Sequence, residues 1–181
     1  MVRRPRLTRF EPVGKAVFYQ KHMSHHLLPD IDREWLDALS HAFLIREPRR
    51  VILSFSRIAG EPSLEATGLP QQLEIFTRTR ERTGTTPPVV DARDLLERPE
   101  RMLSALCAAL GLDFDAGMLA WPPGPRDTDG VWARYWYDTV WQSTGFHSYE
   151  PDDEPVPRHL SGLLEAADEI YRELHQQRLQ P

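Results

Sequence analysis

The sequence predicts an α/β domain with a mostly parallel sheet flanked by helices, and three observations carry that reading. Short apolar or β-favouring runs recur at 16–19 (AVFY), 42–45 (AFLI) and 87–92 (PPVVDA), separated by stretches of helical periodicity. Each run stops abruptly in polar residues: Gln20-Lys21-His22, Arg46 and Asp91-Ala92-Arg93. Ligands of such sheets bind outside the carboxyl ends of the strands. Proline and glycine punctuate the pattern, with Pro48 and Pro99 where helices begin and Gly111 where one ends.

In chain order, residues 1–14 form an irregular basic lead-in with two prolines, followed by the strand at 16–19. The polar segment 20–26 closes at Leu27-Leu28-Pro29. Asp30 is placed to cap a helix to about Leu39, with Ile31, Trp35, Leu36 and Leu39 on its inner face. The strand at 42–45 then turns at Arg46 into a helix starting near Pro48. On that helix Arg50, Ser54 and Arg57 share one face, and Val51, Ile52, Phe55 and Ile58 form the apolar one. A Gly-, Pro- and Ser-containing loop spans 59–68, and a helix covers 69–82 with Leu73 and Phe76 inward. The strand at 87–92 leads to an amphipathic helix from Pro99, whose apolar positions are Met102, Leu103, Leu106, Cys107 and Leu110. A helical turn near 116–121 and a loop to Gly130 precede a helix over 131–142. There Trp132, Trp136 and Trp141 recur at helical spacing, the pattern of core packing. An acidic, proline-containing linker at 150–157, read as solvated, comes before a final helix over about 159–178.

Composition bounds what this chain does. Its 181 residues, 40 % hydrophobic and 27 % charged, fit one domain over 1–181 with a proper core. No apolar run approaches the ~20 residues of a membrane span, and MVRRPRLTRF lacks the apolar stretch of a secretory signal, so a cytoplasmic location is expected. The single cysteine, Cys107, permits no internal disulfide and fits a buried thiol. A net charge of −5 gives no reason to expect nucleic acid. Three histidines, His22, His25 and His26, lie close in sequence, but adjacent histidines project differently and no further ligand spacing supports them, so no metal is expected.

An arginine at a strand's carboxyl end and a hydroxyl on the following helix can together hold a phosphate. On this stretch alone, a surface arginine beside an ordinary amphipathic helix accounts for Arg46 and Ser54 equally well. The ordered set of motifs points further. Arg46-Glu47-Pro48 with Ser54 eight positions after the arginine resembles the strand-to-helix element of the sulfotransferase family. Gln20-Lys21-His22 followed by Leu27-Leu28-Pro29 resembles its K-x-H…L-L-P segment. Asp94-Leu95-Leu96, Pro99 and Leu110-Gly111-Leu112 are similar to its E-D-L…P…L-G stretch. Arg126 with Gly130 and Trp132 stands where the family has an R-x-G…G-x-W loop. The matches run in the family's order over roughly 16–145.

The resemblance implies a P-loop-kinase-like fold and 3′-phosphoadenosine 5′-phosphosulfate (PAPS) as donor to a small-molecule hydroxyl or amine. It implies Arg46 and Ser54 on the donor's 3′-phosphate, with Arg126, Gly130 and Trp132 about the nucleotide. His22 would be the base, and Lys21 would steady the bridging oxygen. Two departures accompany it. The family lysine is Gln20 here, with Lys21 one position late. The 5′-phosphosulfate loop, which in the family follows a first strand, has no counterpart in MVRRPRLTRFEPVGK. The expectation is therefore an N-terminally shortened domain of doubtful independent activity. A gap is expected between the strands around Ile45 and Val90, left open or completed by another copy or another chain. Two other readings stand beside it: a non-catalytic module binding a phosphorylated nucleotide through Arg46 and Ser54, and a phosphoryl-transfer enzyme of the same broad fold.

Overall fold

The computed structural model describes residues 17–181 except 132 and 152, with the side chains of Ala59 and Trp136 also outside the description. Its sheet has two parallel strands, β1 (Phe43–Ile45) and β2 (Val89–Asp91), paired Phe43 to Val89, Leu44 to Val90 and Ile45 to Asp91. Parallel neighbours require a long crossover. Here α1 (Pro48–Ala59), a short 3-10 turn and α2 (Leu69–Thr83) supply it. After β2 come α3 (Ala92–Glu97) and α4 (Pro99–Ala109), the short helices α5 (Ala133–Trp136) and α6 (Asp138–Gln142), and the long α7 (Ser161–Gln176).

The fold class is α/β with a parallel pair, as expected, but the gap between the two strands is absent. They pair directly, and Phe43 N–H donates to Pro88 O at 2.9 Å ahead of the ladder. Both outer edges are also engaged. Gln72 Nε2 donates to Leu44 O at 3.1 Å, and Leu179 N–H donates to Val89 O at 2.8 Å, so a side chain and the C-terminal segment blunt them. One trace of an incomplete cover remains, because Leu44 is 56 % exposed on the face opposite Phe43 and Ile45.

The strand expected at 16–19 is not formed over its described residues. Val17, Phe18 and Tyr19 lie outside regular structure and are exposed. Strand preference is largely the preference of a side chain for a half-buried, pleated surface, and these three side chains have none. The helix expected at 30–39 contracts to a 3-10 segment, Glu34–Ala38. Its first turn is anchored by Asp32, not Asp30, since Asp32 Oδ1 accepts from Glu34 N–H at 2.9 Å. Five residues of 3-10 helix bury Leu36, while Ile31 and Leu39 stay exposed.

Two apolar clusters meet at Ile170 of α7. The first joins Phe43, Ile45 and Val89 of the sheet to Ile75 and Phe76 of α2, Leu27, Leu36 and Leu174. The second joins Ile52 of α1 to Leu69, Leu160 and Ala167, with Val156 against it. Helix α7 thus backs the sheet and α1 together. Among the described residues no helix is long and apolar enough to cross a membrane.

Candidate functional site: the carboxyl edge of the sheet

The register places Ile45 beside Asp91, so the two polar strand ends emerge next to each other. From β1 the chain passes through Arg46, which is exposed, and Glu47 into α1, whose first residue is Pro48. Proline there loses no hydrogen bond and fixes the backbone for helix entry. Ser54 lies on α1, half-buried. Glu47 turns back over the helix start, accepting from Arg50 Nε at 3.3 Å and from the Tyr149 hydroxyl at 3.4 Å. The Arg50 guanidinium lies 4.6 Å from the centre of the Tyr149 ring, and that of Arg93, in the first turn of α3, lies 5.0 Å from it.

At the end of β2, Asp91 is buried. One carboxylate oxygen caps α3 by accepting from Arg93 N–H at 2.8 Å, and the other accepts the Tyr171 hydroxyl at 2.8 Å. Burial, and then the Asp91 carboxylate, push the Tyr171 phenol well above the ordinary tyrosine range. Arg178 Nε pairs with Asp94 Oδ2 at 2.9 Å, so α7 and the tail beyond it are tied to α3 twice. Asp94, matched in sequence to an E-D-L motif, is therefore an anchor for the C-terminal segment.

Lys21 and His22 are both exposed. The His22 Nε2 lies 3.0 Å from Gln20 Oε1, and its ring centre lies 5.5 Å from that of Trp35. The L-L-P turn behind it is held by Arg33, which sequence reasoning missed. Arg33 donates to the carbonyls of Leu27 (2.9 Å), Leu28 (2.8 Å) and Ile31, and its Nε pairs with Glu74 at 3.1 Å. Gly68, at φ 76°, lets the start of α2 approach Ser24 so closely that a Cβ there would stand 2.4 Å from Ser24 Oγ. His25 is held below the ordinary histidine range by burial and by its neighbour His26.

Trp132 lies outside the described residues, but the rest of its loop is organised by Asp129. Asp129 Oδ2 accepts from Arg126 N–H at 2.9 Å and from Trp141 Nε1 at 2.8 Å, which hold its carboxyl below the ordinary range. Arg126 itself is exposed, with Nη2 3.4 Å from Pro122 O, and Ala133 N–H closes on Gly130 O at 2.9 Å. The helix expected over 131–142 is divided at Tyr137 into α5 and α6.

The profile of a sulfotransferase domain matches residues 5–178. The chain belongs to the sulfotransferase-domain family. Branched-chain-amino-acid aminotransferase-like protein 1 of Arabidopsis thaliana is 36 % identical to it over 158 residues, which cover 87 % of this chain and 28 % of that protein. Branched-chain-amino-acid aminotransferase-like protein 2 of the same plant is 34 % identical over 162 residues, covering 90 % of this chain and 29 % of its own length. The chain thus spans less than a third of the length of these curated relatives. No solved structure matches it.

In this sulfotransferase domain, the acidic segment read as a solvated linker is pinned to α1 instead. Arg50 Nη2 donates to Glu150 O, Arg49 Nη1 donates to Glu154 O at 2.6 Å, and Arg57 pairs with the Glu154 carboxylate. Three arginines of α1 supply the donors. No group of three His, Cys, Asp or Glu side chains that could hold a metal occurs among the described residues. An open groove of about 910 Å³ runs beside the start of α4, lined by Arg98, Arg101, Ser104, Leu119 and Phe146 among others. None of the sequence-predicted site residues lines it.

Proposed function

We propose that this sulfotransferase domain binds PAPS at the carboxyl edge of its sheet and serves sulfuryl transfer to a hydroxyl or amine of a small-molecule acceptor. The observation that carries the reading is the β1–Arg46–α1 connection. It puts a guanidinium at the strand end and the Ser54 hydroxyl on the helix that follows. That donor set suits a phosphate, because a guanidinium offers a fork of N–H groups and a hydroxyl adds one further donor.

The donor supplies the sulfuryl group. Sulfuryl transfer is an in-line displacement, so by analogy with phosphoryl transfer the protein contributes positioning and charge stabilisation. Arg46 and Ser54 hold the 3′-phosphate and fix the donor's register. His22 accepts the acceptor's proton on an imidazole nitrogen. Lys21 balances charge on the leaving oxygen. Arg126 adds a second guanidinium from the 126–130 loop, with Gly130 and Trp132 beside the nucleotide.

The test is calorimetric binding of adenosine 3′,5′-bisphosphate to the wild type, Arg46→Ala and Ser54→Ala. Loss of a charge-assisted contact of about 1.5–3 kcal/mol weakens Arg46→Ala by roughly 10- to 150-fold. Loss of one neutral donor weakens Ser54→Ala by roughly 2- to 10-fold. A folded Arg46→Ala that binds as tightly as the wild type overturns the assignment. A second reading, a non-catalytic module that holds a phosphorylated nucleotide through the same two residues, is favoured by the exposure of Lys21 and the pairing of His22 with Gln20. Turnover separates the two: transfer abolished by His22→Ala supports the enzyme, and binding without transfer supports the module.

A further inference from the structure

We propose that the described residues between Tyr149 and Glu154 form an anionic strap over α1 that a phosphorylated nucleotide must displace, so that donor binding and strap release are one coupled event. This rests on the reading of Arg46 and Ser54 as phosphate ligands and adds a control on that same site.

The geometry of α1 is the first reason. Ser54 lies four residues after Arg50 and three before Arg57, so the three side chains share one helical face, with Arg49 at its margin. A phosphate arriving at Ser54 meets those guanidiniums. All three arginines are already engaged by one segment about a hundred positions away: Arg50 with the Glu150 carbonyl, Arg49 with the Glu154 carbonyl, and Arg57 with the Glu154 carboxylate. Chain and ligand therefore draw on the same donors.

The second reason is how the strap is fastened. Its ends are held by packing. At one end the Tyr149 ring lies under Arg50 and Arg93 and its hydroxyl reaches Glu47, and at the other Val156 rests on the cluster of Ile52 and Leu160. Between them Glu150, Asp153 and Glu154 are exposed, and the Arg57–Glu154 pair is 59 % and 46 % exposed on its two sides. Exposed pairs of this kind contribute little and are screened by salt. A phosphate makes shorter, charge-assisted bonds to guanidinium than a backbone carbonyl does. The middle of the strap is thus the part that yields, while its ends keep it near the helix.

The experiment follows amide hydrogen exchange of 149–154 together with calorimetric affinity, for the wild type, Glu154→Gln and Tyr149→Ala. The ligands are adenosine 3′,5′-bisphosphate and inorganic pyrophosphate. The expected result is faster exchange in the strap at saturating bisphosphate. Glu154→Gln is expected to bind about two- to fivefold more tightly than the wild type, with the difference shrinking as salt rises. Tyr149→Ala, which removes an anchor without removing charge, shifts affinity in the same direction. A strap that only fastens the chain would exchange faster in the variants with no change in affinity, and that result overturns the proposal. So does strap exchange that is unchanged or slowed by both ligands. If pyrophosphate loosens the strap but neither the wild type nor Glu154→Gln binds the bisphosphate, the donor reading falls and the strap stands.

Discussion

Replacing Tyr171 by phenylalanine removes one hydroxyl from the junction that fixes the carboxyl edge of the sheet. That hydroxyl lies 2.8 Å from Asp91 Oδ2, and Asp91 is 2 % exposed, so solvent does not replace the lost donor. A hydrogen bond to a buried carboxylate contributes about 1.5–3 kcal/mol, and the ring packing is retained, so Tyr171→Phe should cost about 2 kcal/mol. At roughly 2–4 °C per kcal/mol for a chain of this size, the midpoint of heat unfolding falls by about 4–8 °C. Urea unfolding should show the same loss with an unchanged slope. The pH dependence has a definite sign. Burial and Asp91 hold the Tyr171 phenol above tyrosine's ordinary value of about 10, so the folded chain keeps a proton that the unfolded chain releases. That part of the stability is complete below about pH 10 and declines above it, and Tyr171→Phe should lack the decline. In an Asp91→Asn background the Tyr171→Phe cost should shrink, because the charged acceptor is gone. A loss below about 0.5 kcal/mol, or one unchanged by Asp91→Asn, would refute the reasoning.

Arg33→Ala strips the donors from the carbonyls of Leu27, Leu28 and Ile31, and with a side chain only 11 % exposed it should destabilise by about 2–4 kcal/mol. Amide exchange should accelerate first in 24–31, and Arg33→Lys should not restore protection, since an ammonium lacks the planar fork. Gly68→Ala puts a Cβ 2.4 Å from Ser24 Oγ at a φ of 76°, so urea unfolding should show a loss of about 2 kcal/mol or more. Part of that loss should return when Ser24 is also made glycine.

Where sequence was informative, the controlling interactions are local. The β1-to-α1 turn reads directly because an apolar run, a proline at the first helical position and a 3.6-residue period lie within fifteen residues of one another. The same holds for α2, which opens on Leu69-Pro70, and for α4, with Pro99 at its start and Gly111 at φ 69° just past its end. What was not legible depends on partners far along the chain. Residues 150–154 have the composition of a solvated linker until Arg49, Arg50 and Arg57 are brought against them. Tyr149 and Tyr171 carry no motif, and their roles follow from the hydrogen bonds that Glu47 and Asp91 accept from them. The family pattern led to a gap beside Ile45, whereas matching three-residue strands pair directly and Gln72 and Leu179 cover their outer edges. His22 and Lys21 show the opposite case, in which a motif match places residues in sequence but fixes no geometry around them.

Two helices begin side by side at this edge, and their starts are finished differently. At α3 the Asp91 side chain accepts from the first turn, which puts a carboxylate where an anionic ligand would otherwise go. At α1 Glu47 makes no side-chain cap bond, and its carboxylate is turned instead to Arg50 and Tyr149. The positive end of the longer helix is therefore the one not closed by its own cap, and it is flanked by Arg46, Arg50 and Arg93. If the edge binds a phosphate as proposed, this asymmetry favours the start of α1 over that of α3. The strap draws on the same helix: its carbonyls take Arg49 and Arg50 near the start of α1, and its paired carboxylate takes Arg57 in the last turn. Reversing the asymmetry tests the argument. Glu47→Asp shortens the carboxylate so that it reaches the first turn of α1 in the way Asp91 reaches that of α3, and Asp91→Asn removes the charge at α3 while keeping an acceptor. Glu47→Asp should weaken bisphosphate binding and Asp91→Asn should not. Equal effects from the two would show that the uncapped start of α1 has no part in choosing where the anion binds.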